Sequence, residues 1–158
     1  MAQSIKGVVA GLYTVCKTLY VAQTGPDGLP VLVTYGPAGS YQPGALVMVG
    51  MDIRQPITRP VAATTRPREK RAEIDILFST YGAGDETVQQ PVTEKLFDLV
   101  ELLDAYFRTP GQETLGNSCR EALLTDVGNV IPAVIADSEG MPGRAAEVTA
   151  TVAAFIRY

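Results

Sequence analysis

The chain of 158 residues contains no histidine and no tryptophan, and only two cysteines. Without histidine, Ser-His and Cys-His nucleophile systems cannot be built, and a zinc site would lack its usual nitrogen ligand. Cys16 and Cys119 stand far apart, form no CxxC pair and read as two reduced thiols. Neither a P-loop lysine motif nor a G-x-S-x-G elbow is present. Charge is scarce as well: charged residues make up 19% of the chain against 46% hydrophobic ones, which excludes general disorder and leaves a charge-poor surface suited to meeting other subunits. No stretch reaches the roughly eighteen uninterrupted apolar residues of a membrane span. VVAGLYTVC follows Lys6 near the N-terminus, but Val15 stands before Cys16 where a lipoprotein signal wants a small residue, so the segment reads as helix and not as signal.

What is present reads as one domain with a real core, since a chain of this length buries roughly 68 to 70% of its unfolded surface. Ile5, Val8, Val9, Leu12, Cys16 and Leu19 recur at helical spacing and predict a helix over residues 4–20, capped by Ser4. Gly7 and Gly11, four apart, have the spacing that lets another backbone come close, but it is common in soluble helices and is read here as carrying no contact. After a turn signal, TGPDGLP, come two strands, VLVTY (31–35) and ALVMVGMDI (45–53), the second with Ala45, Val47, Val49, Met51 and Ile53 on one face. KRAEIDILFSTY (70–81) alternates, with Ile74, Ile76, Phe78 and Thr80 on one face and Glu73, Asp75, Leu77, Ser79 and Tyr81 on the other. A helix follows over 86–108 with Asp85 as cap, Pro91 kinking or restarting it, and Val92, Leu96, Leu99, Val100, Leu103 and Phe107 as its buried stripe. Residues 118–127 fit a capping box or a weak alternation and are assigned to a strand; a loop with Gly140, Pro142 and Gly143 then leads into AEVTATVAAFIRY, where Val148, Ala150, Val152, Ala154 and Ile156 line up. The expected class is α+β: a mixed or antiparallel β-sheet flanked by an N-terminal helix and a long central helix, in a single domain over 1–158.

Charge is segregated along the chain. Residues 54–71 carry Arg54, Arg59, Arg66, Arg68, Lys70 and Arg71 against Glu69 alone, a net of +5, while the remainder carries −9. Pro56, Pro60 and Pro67 oppose both helix and central strand there, which predicts an extended arm projecting from the domain. Glu94, Asp98 and Glu101, spaced four and three apart, share one face of the central helix, where like charges repel and a basic partner would relieve them. The arm of one subunit lying on the acidic helix of its neighbour in a ring is one reading of this pattern. A solvated loop beside a solvated helix face is another, and a channel lining past which DNA moves is a third. The arm has no aromatic residue for base stacking, so sequence-specific nucleic-acid binding is not expected. The G-x-G turn at Gly82 and Gly84 stands where a dinucleotide loop would, yet Asp85 and Glu86 place negative charge on the pyrophosphate position. Glu73 and Asp75 share a strand face and have the pairing a hydrolase or a magnesium site uses, but they read as solvated or subunit-facing acids. No catalytic residue, cofactor site or metal ligand is assigned, and no enzymatic activity is expected.

The order of these parts resembles the tail terminator proteins of long-tailed, siphovirus-type bacteriophages, especially those of actinobacteria, and more remotely the lambda-type terminator. The resemblance rests on the Arg-x-Arg-Glu lead-in at 66–69, the glycine break with Asp85 and Glu86, Leu115-Gly116, and the closing Gly143-Arg144 followed by Ala146-Glu147-Val148-Thr149-Ala150-Thr151-Val152. It implies a structural virion protein, assembled in the host cytoplasm, of which six copies close into a ring on the head-proximal end of the tail tube. Such a ring would end tube polymerisation, bind the major tail tube protein on one side and the head-tail connector or stopper protein on the other, and let DNA pass through its lumen without sequence-specific contact, with no membrane involved. Pro91 and the long arm depart from the family pattern. A neck or head-to-tail connector component is the alternative assembly reading, and a nucleotide- or metal-dependent enzyme using the Gly82 to Glu86 turn is the alternative from another class.

Overall fold

A computed structural model of the chain describes residues 3–40, 43–56, 69–136 and 140–157. Helix α1 (Ile5–Tyr20) begins where Ser4, in extended conformation, accepts the Gly7 N–H on its Oγ at 3.1 Å, satisfying one of the amides a helix start leaves open. It buries Val8, Val9, Leu12, Cys16 and Tyr20. Strands β1 (Leu32–Tyr35), β2 (Ala45–Arg54) and β3 (Glu69–Ala83) follow. A 3-10 turn at Glu86–Val88, N-capped by Asp85, runs into helix α2 (Gln89–Arg108). The irregularity in this helix therefore falls ahead of Pro91, which sits in the first turn of α2, where the missing N–H costs little. Strands β4 (Glu121–Val127), β5 (Ile131–Ala136) and β6 (Pro142–Arg157) complete the chain.

The fold is α+β, with a mixed sheet of six strands in the order β1-β2-β3-β6-β4 and β5 also paired to β6. β1 runs parallel to β2, and every other pairing is antiparallel. One edge of β6 pairs with β3 from Glu69 opposite Arg157 to Ala83 opposite Gly143. Its other edge holds β4 against residues 150–155 and β5 against residues 142–147. Between these two the Gly128 N–H donates to the Thr149 carbonyl at 2.8 Å, so β4 and β5 act as one interrupted edge strand.

Both helices cover the same sheet face. Ile74, Ile76, Phe78 and Thr80 of β3 and Val148, Ala150, Val152, Ala154 and Ile156 of β6 are buried there, as their alternation predicts, under the α2 stripe of Val92, Leu96, Leu99, Val100, Leu103 and Phe107. Polar atoms in this core are satisfied: the Tyr20 hydroxyl donates to the Leu99 carbonyl at 2.6 Å, and that of Thr80 to the Val92 carbonyl at 2.8 Å.

The structure corrects several expectations. Arg54 ends β2, and Lys70 and Arg71 lie within β3, because the ladders extend to Arg54 opposite Glu73 and to Glu69 opposite Arg157; these three residues belong to the sheet and not to an arm. The arm expected over 54–71 is otherwise untouched by this result, since Arg59, Arg66 and Arg68 lie outside the described residues. Met51 and Ile53 do not continue the buried face of Ala45, Val47 and Val49: Gly50 takes φ +81° and the register shifts between Val49 and Ile53, leaving both side chains exposed. Gly11 does carry a contact, since a Cβ there would lie 2.7 Å from Ser118 Oγ and 3.1 Å from the Leu115 carbonyl oxygen. The loop expected around Gly140, Pro142 and Gly143 is shorter than that, since β6 already starts at Pro142, and β5 over Ile131–Ala136 is a strand that no pattern in the sequence announces.

Candidate assembly surface

On the sheet face opposite the helices, Arg54 is the hub of an ion cluster. Its guanidinium donates to both carboxylate oxygens of Asp75 at 2.9 and 3.0 Å, to Asp52, and through Nε to Glu73 Oε2 at 3.4 Å. Arg71 reaches the other Glu73 oxygen at 2.8 Å, and the Thr151 hydroxyl donates to Asp75 Oδ1 at 2.8 Å. The bidentate Arg54 contact holds the Asp75 carboxyl below its ordinary range, with Thr151 helping and burial opposing, and the same contact raises the Arg54 value. Glu73 and Asp75 are therefore half-buried acids paired within their own chain, not solvated ones. Arg54 is likewise occupied at home.

Glu94, Asp98 and Glu101 are exposed on α2, across the sheet from Arg54, and the ion pairs of Arg54 and Arg71 go to Asp52, Glu73 and Asp75 instead. Gln90 donates to Glu94 Oε1 at 2.7 Å, and Phe97 stands exposed beside Asp98. The glycines of the Gly82–Glu86 turn have a packing reason. A Cβ at Gly82 would come within 2.8 Å of Val88 and 2.9 Å of Val92, and Gly84, at φ +141°, presses on the same Val88. Asp85 Oδ1 accepts both the Thr87 N–H at 3.0 Å and its hydroxyl at 2.6 Å, and these bonds lower the Asp85 pKa. The amide offered by this helix start is thus already taken by the protein's own carboxylate. Burial pushes the Cys16 thiol up to about 12 and that of Cys119 to about 11, so both stay protonated at neutral pH. Among the described residues no group of three or more cysteines and carboxylates is placed to hold a metal ion, and no helix is long and apolar enough to cross a membrane.

The surface that sequence reasoning missed is β5. All six residues of IPAVIA are exposed, Ile131 to 62% and Val134 to 67%, and the strand carries no charge. Neither helix packs substantially on it, and the strands that α2 covers are β3, β4 and β6. Val127 and Met141 extend the exposed apolar surface at its two ends. On the face away from the helices Ile135 borders a groove of about 230 Å³ shared with Leu46, Tyr81 and Ala145. An unpaired, apolar edge of this kind offers a row of backbone donors and acceptors to another strand, and native proteins ordinarily blunt such edges with charge. On β5 that part is left to Pro132, which removes one backbone donor from the strand.

Comparison with models of known protein families gives no match, and comparison with curated proteins gives none either.

Proposed function

We propose that this chain is a structural subunit that acts by assembly, closing into a ring that caps the head-proximal end of a long-tailed phage tail tube and forms the joint to the head-side connector. The observation that carries the assembly reading is the charge-free, doubly exposed β5 edge, which a protein acting alone has every physical reason to cover. The assignment to the tail terminator class rests on the ordered resemblance of residues 66–69, 85–86, 115–116 and 143–152. The long β3–β6 ladder and the core beneath α2 supply a rigid body, and among the described residues the sheet leaves an edge free on each side, two different surfaces of the kind a head-to-tail ring contact can use. One face of the ring would match the growing tube, while the other would fail to template a further tube ring, so function lies in two unlike surfaces.

Native mass spectrometry of the protein alone and with tail tube polymer tests this. A closed oligomer, six copies by the family resemblance, that binds tube ends and stops elongation is the expected result. Binding to filled heads in place of tubes would make the chain a neck component, and a protein that neither self-associates nor binds either particle would end the proposal.

A further inference from the structure

We propose that the contact closing the ring is β-strand addition, in which β5 of one copy pairs antiparallel with β1 of the next, so that the sheet runs on from subunit to subunit. The inference rests on the ring reading above and names the partner of the β5 edge as a second copy of this chain. Among the described residues the sheet has two free edges, β1 at one end and the interrupted β4-β5 strand at the other.

Strand directions make them complementary. β1 is parallel to β2, β2 antiparallel to β3, and β3 antiparallel to β6, so β1 and β6 run the same way, while β5 runs against β6. A copy shifted along the sheet without being turned over therefore sets its β1 beside the neighbouring β5 in antiparallel sense, the sense in which ladder hydrogen bonds lie straight across. Pairing of β5 with its own copy about a two-fold axis would also be antiparallel, but it consumes the same edge on both partners and stops at two subunits. Only the head-to-tail contact leaves a free edge at every step until the ring closes. The chemistry agrees: β1 is LVTY and β5 is IPAVIA, neither carries a charge, and Tyr35 at the end of β1 is 54% exposed, as an aromatic anchor for a neighbour's Ile and Val side chains would be.

Cross-linking decides between these geometries. Within one chain β1 and β5 are separated by β2, β3 and β6, four strand spacings or about 19 Å, so a short thiol-to-thiol reagent cannot bridge them in a monomer. Cys16 and Cys119 are buried and stay silent. The variant carrying both Val134→Cys and Tyr35→Cys should give a ladder of dimers, trimers and higher species on the concentrated protein and on the protein bound to tube polymer, while either substitution alone gives none. Dimers from Val134→Cys alone would mean that β5 meets its own copy and would overturn the inference. An oligomer by native mass with no cross-link from the double variant would place the contact elsewhere, overturning strand addition but leaving the ring. A protein that is monomeric alone and does not bind tubes would remove both.

Discussion

The two halves of β6 have the same partner on one side and unlike surroundings on the other. Residues 150–155 lie between β3 and β4 under α2, and Val148, Ala150, Val152, Ala154 and Ile156 in and beside this stretch are at most 2% exposed. Residues 142–147 have β3 on one side and β5 on the other, and β5 carries apolar side chains that stand exposed. The same ladder thus serves stability at one end and, on the reading proposed here, assembly at the other. What separates the halves is the second neighbour and not β6 itself, whose Ala145 and Ala146 are still buried beneath the start of α2: β4 has α2 packed on it, whereas β5 lies beyond the helix layer and can bury its apolar side chains only against another molecule.

The comparison predicts its largest effect in the covered half. Phe78 is fully buried against Tyr20, edge to face at 6.3 Å between ring centres, so Phe78→Ala should cost about 3 to 5 kcal/mol in urea unfolding. A loss under about 1 kcal/mol would mean that the helix layer is not what holds the sheet. Next comes Arg54→Met, which leaves Asp75, at 16% side-chain exposure, without its cation and Glu73, at 21%, with Arg71 alone, and should cost about 1 to 3 kcal/mol at neutral pH. The pH dependence has a definite sign. Because the Asp75 value is lowered on folding, its contribution is complete above the ordinary carboxylate value of about 3.9 and fades as pH falls from there through the lower folded value. The gap between wild type and Arg54→Met should therefore be full at neutral pH and narrow in that acid window; a gap that widens on acidification would contradict the cluster.

A smaller effect distinguishes the two glycines of α1. Alanine is ordinarily better than glycine in a helix by about 1 kcal/mol. At Gly7 the nearest obstacle is the Ser4 Oγ at 3.3 Å, so Gly7→Ala should be neutral or mildly stabilising, whereas Gly11→Ala must push against Ser118 and the Leu115 carbonyl and should cost about 1 to 2 kcal/mol by thermal melting. Equal responses at the two sites would show that the 115–118 turn is free to yield.

How far the molecule was legible in its sequence follows from the range of the forces involved. The α2 stripe and the buried faces of β3 and β6 are set by periodicity within one element, and each residue in those patterns is buried. Ser4 and Asp85 act as caps through bonds two or three residues away, within reach of local reasoning. The Arg54 cluster, by contrast, joins residues 19 to 21 apart through a sheet register that Gly50 alters, and Gly11 answers to a turn more than a hundred residues later. β5 has no buried face to produce alternation and contains a proline, so its existence depends on β6 offering an edge. The charges at Glu94, Asp98 and Glu101 were legible as a patch, but a patch names no partner.

The smallest expected effect on folding is the sharpest test of the comparison. Val134 is 67% exposed in the middle of β5, a strand on which neither helix packs substantially, and loses little packing when replaced. Val134→Lys should therefore change unfolding free energy by no more than about 0.5 kcal/mol, the range of ordinary surface substitutions. The same lysine places a charge on an edge where a second strand would have to bury it, the device by which sheet proteins prevent edge pairing. A protein that folds normally but loses its self-association would separate the two halves of β6 by experiment. If Val134→Lys instead unfolded the chain, β5 would belong to the stability of the domain, and the division drawn along β6 would be wrong.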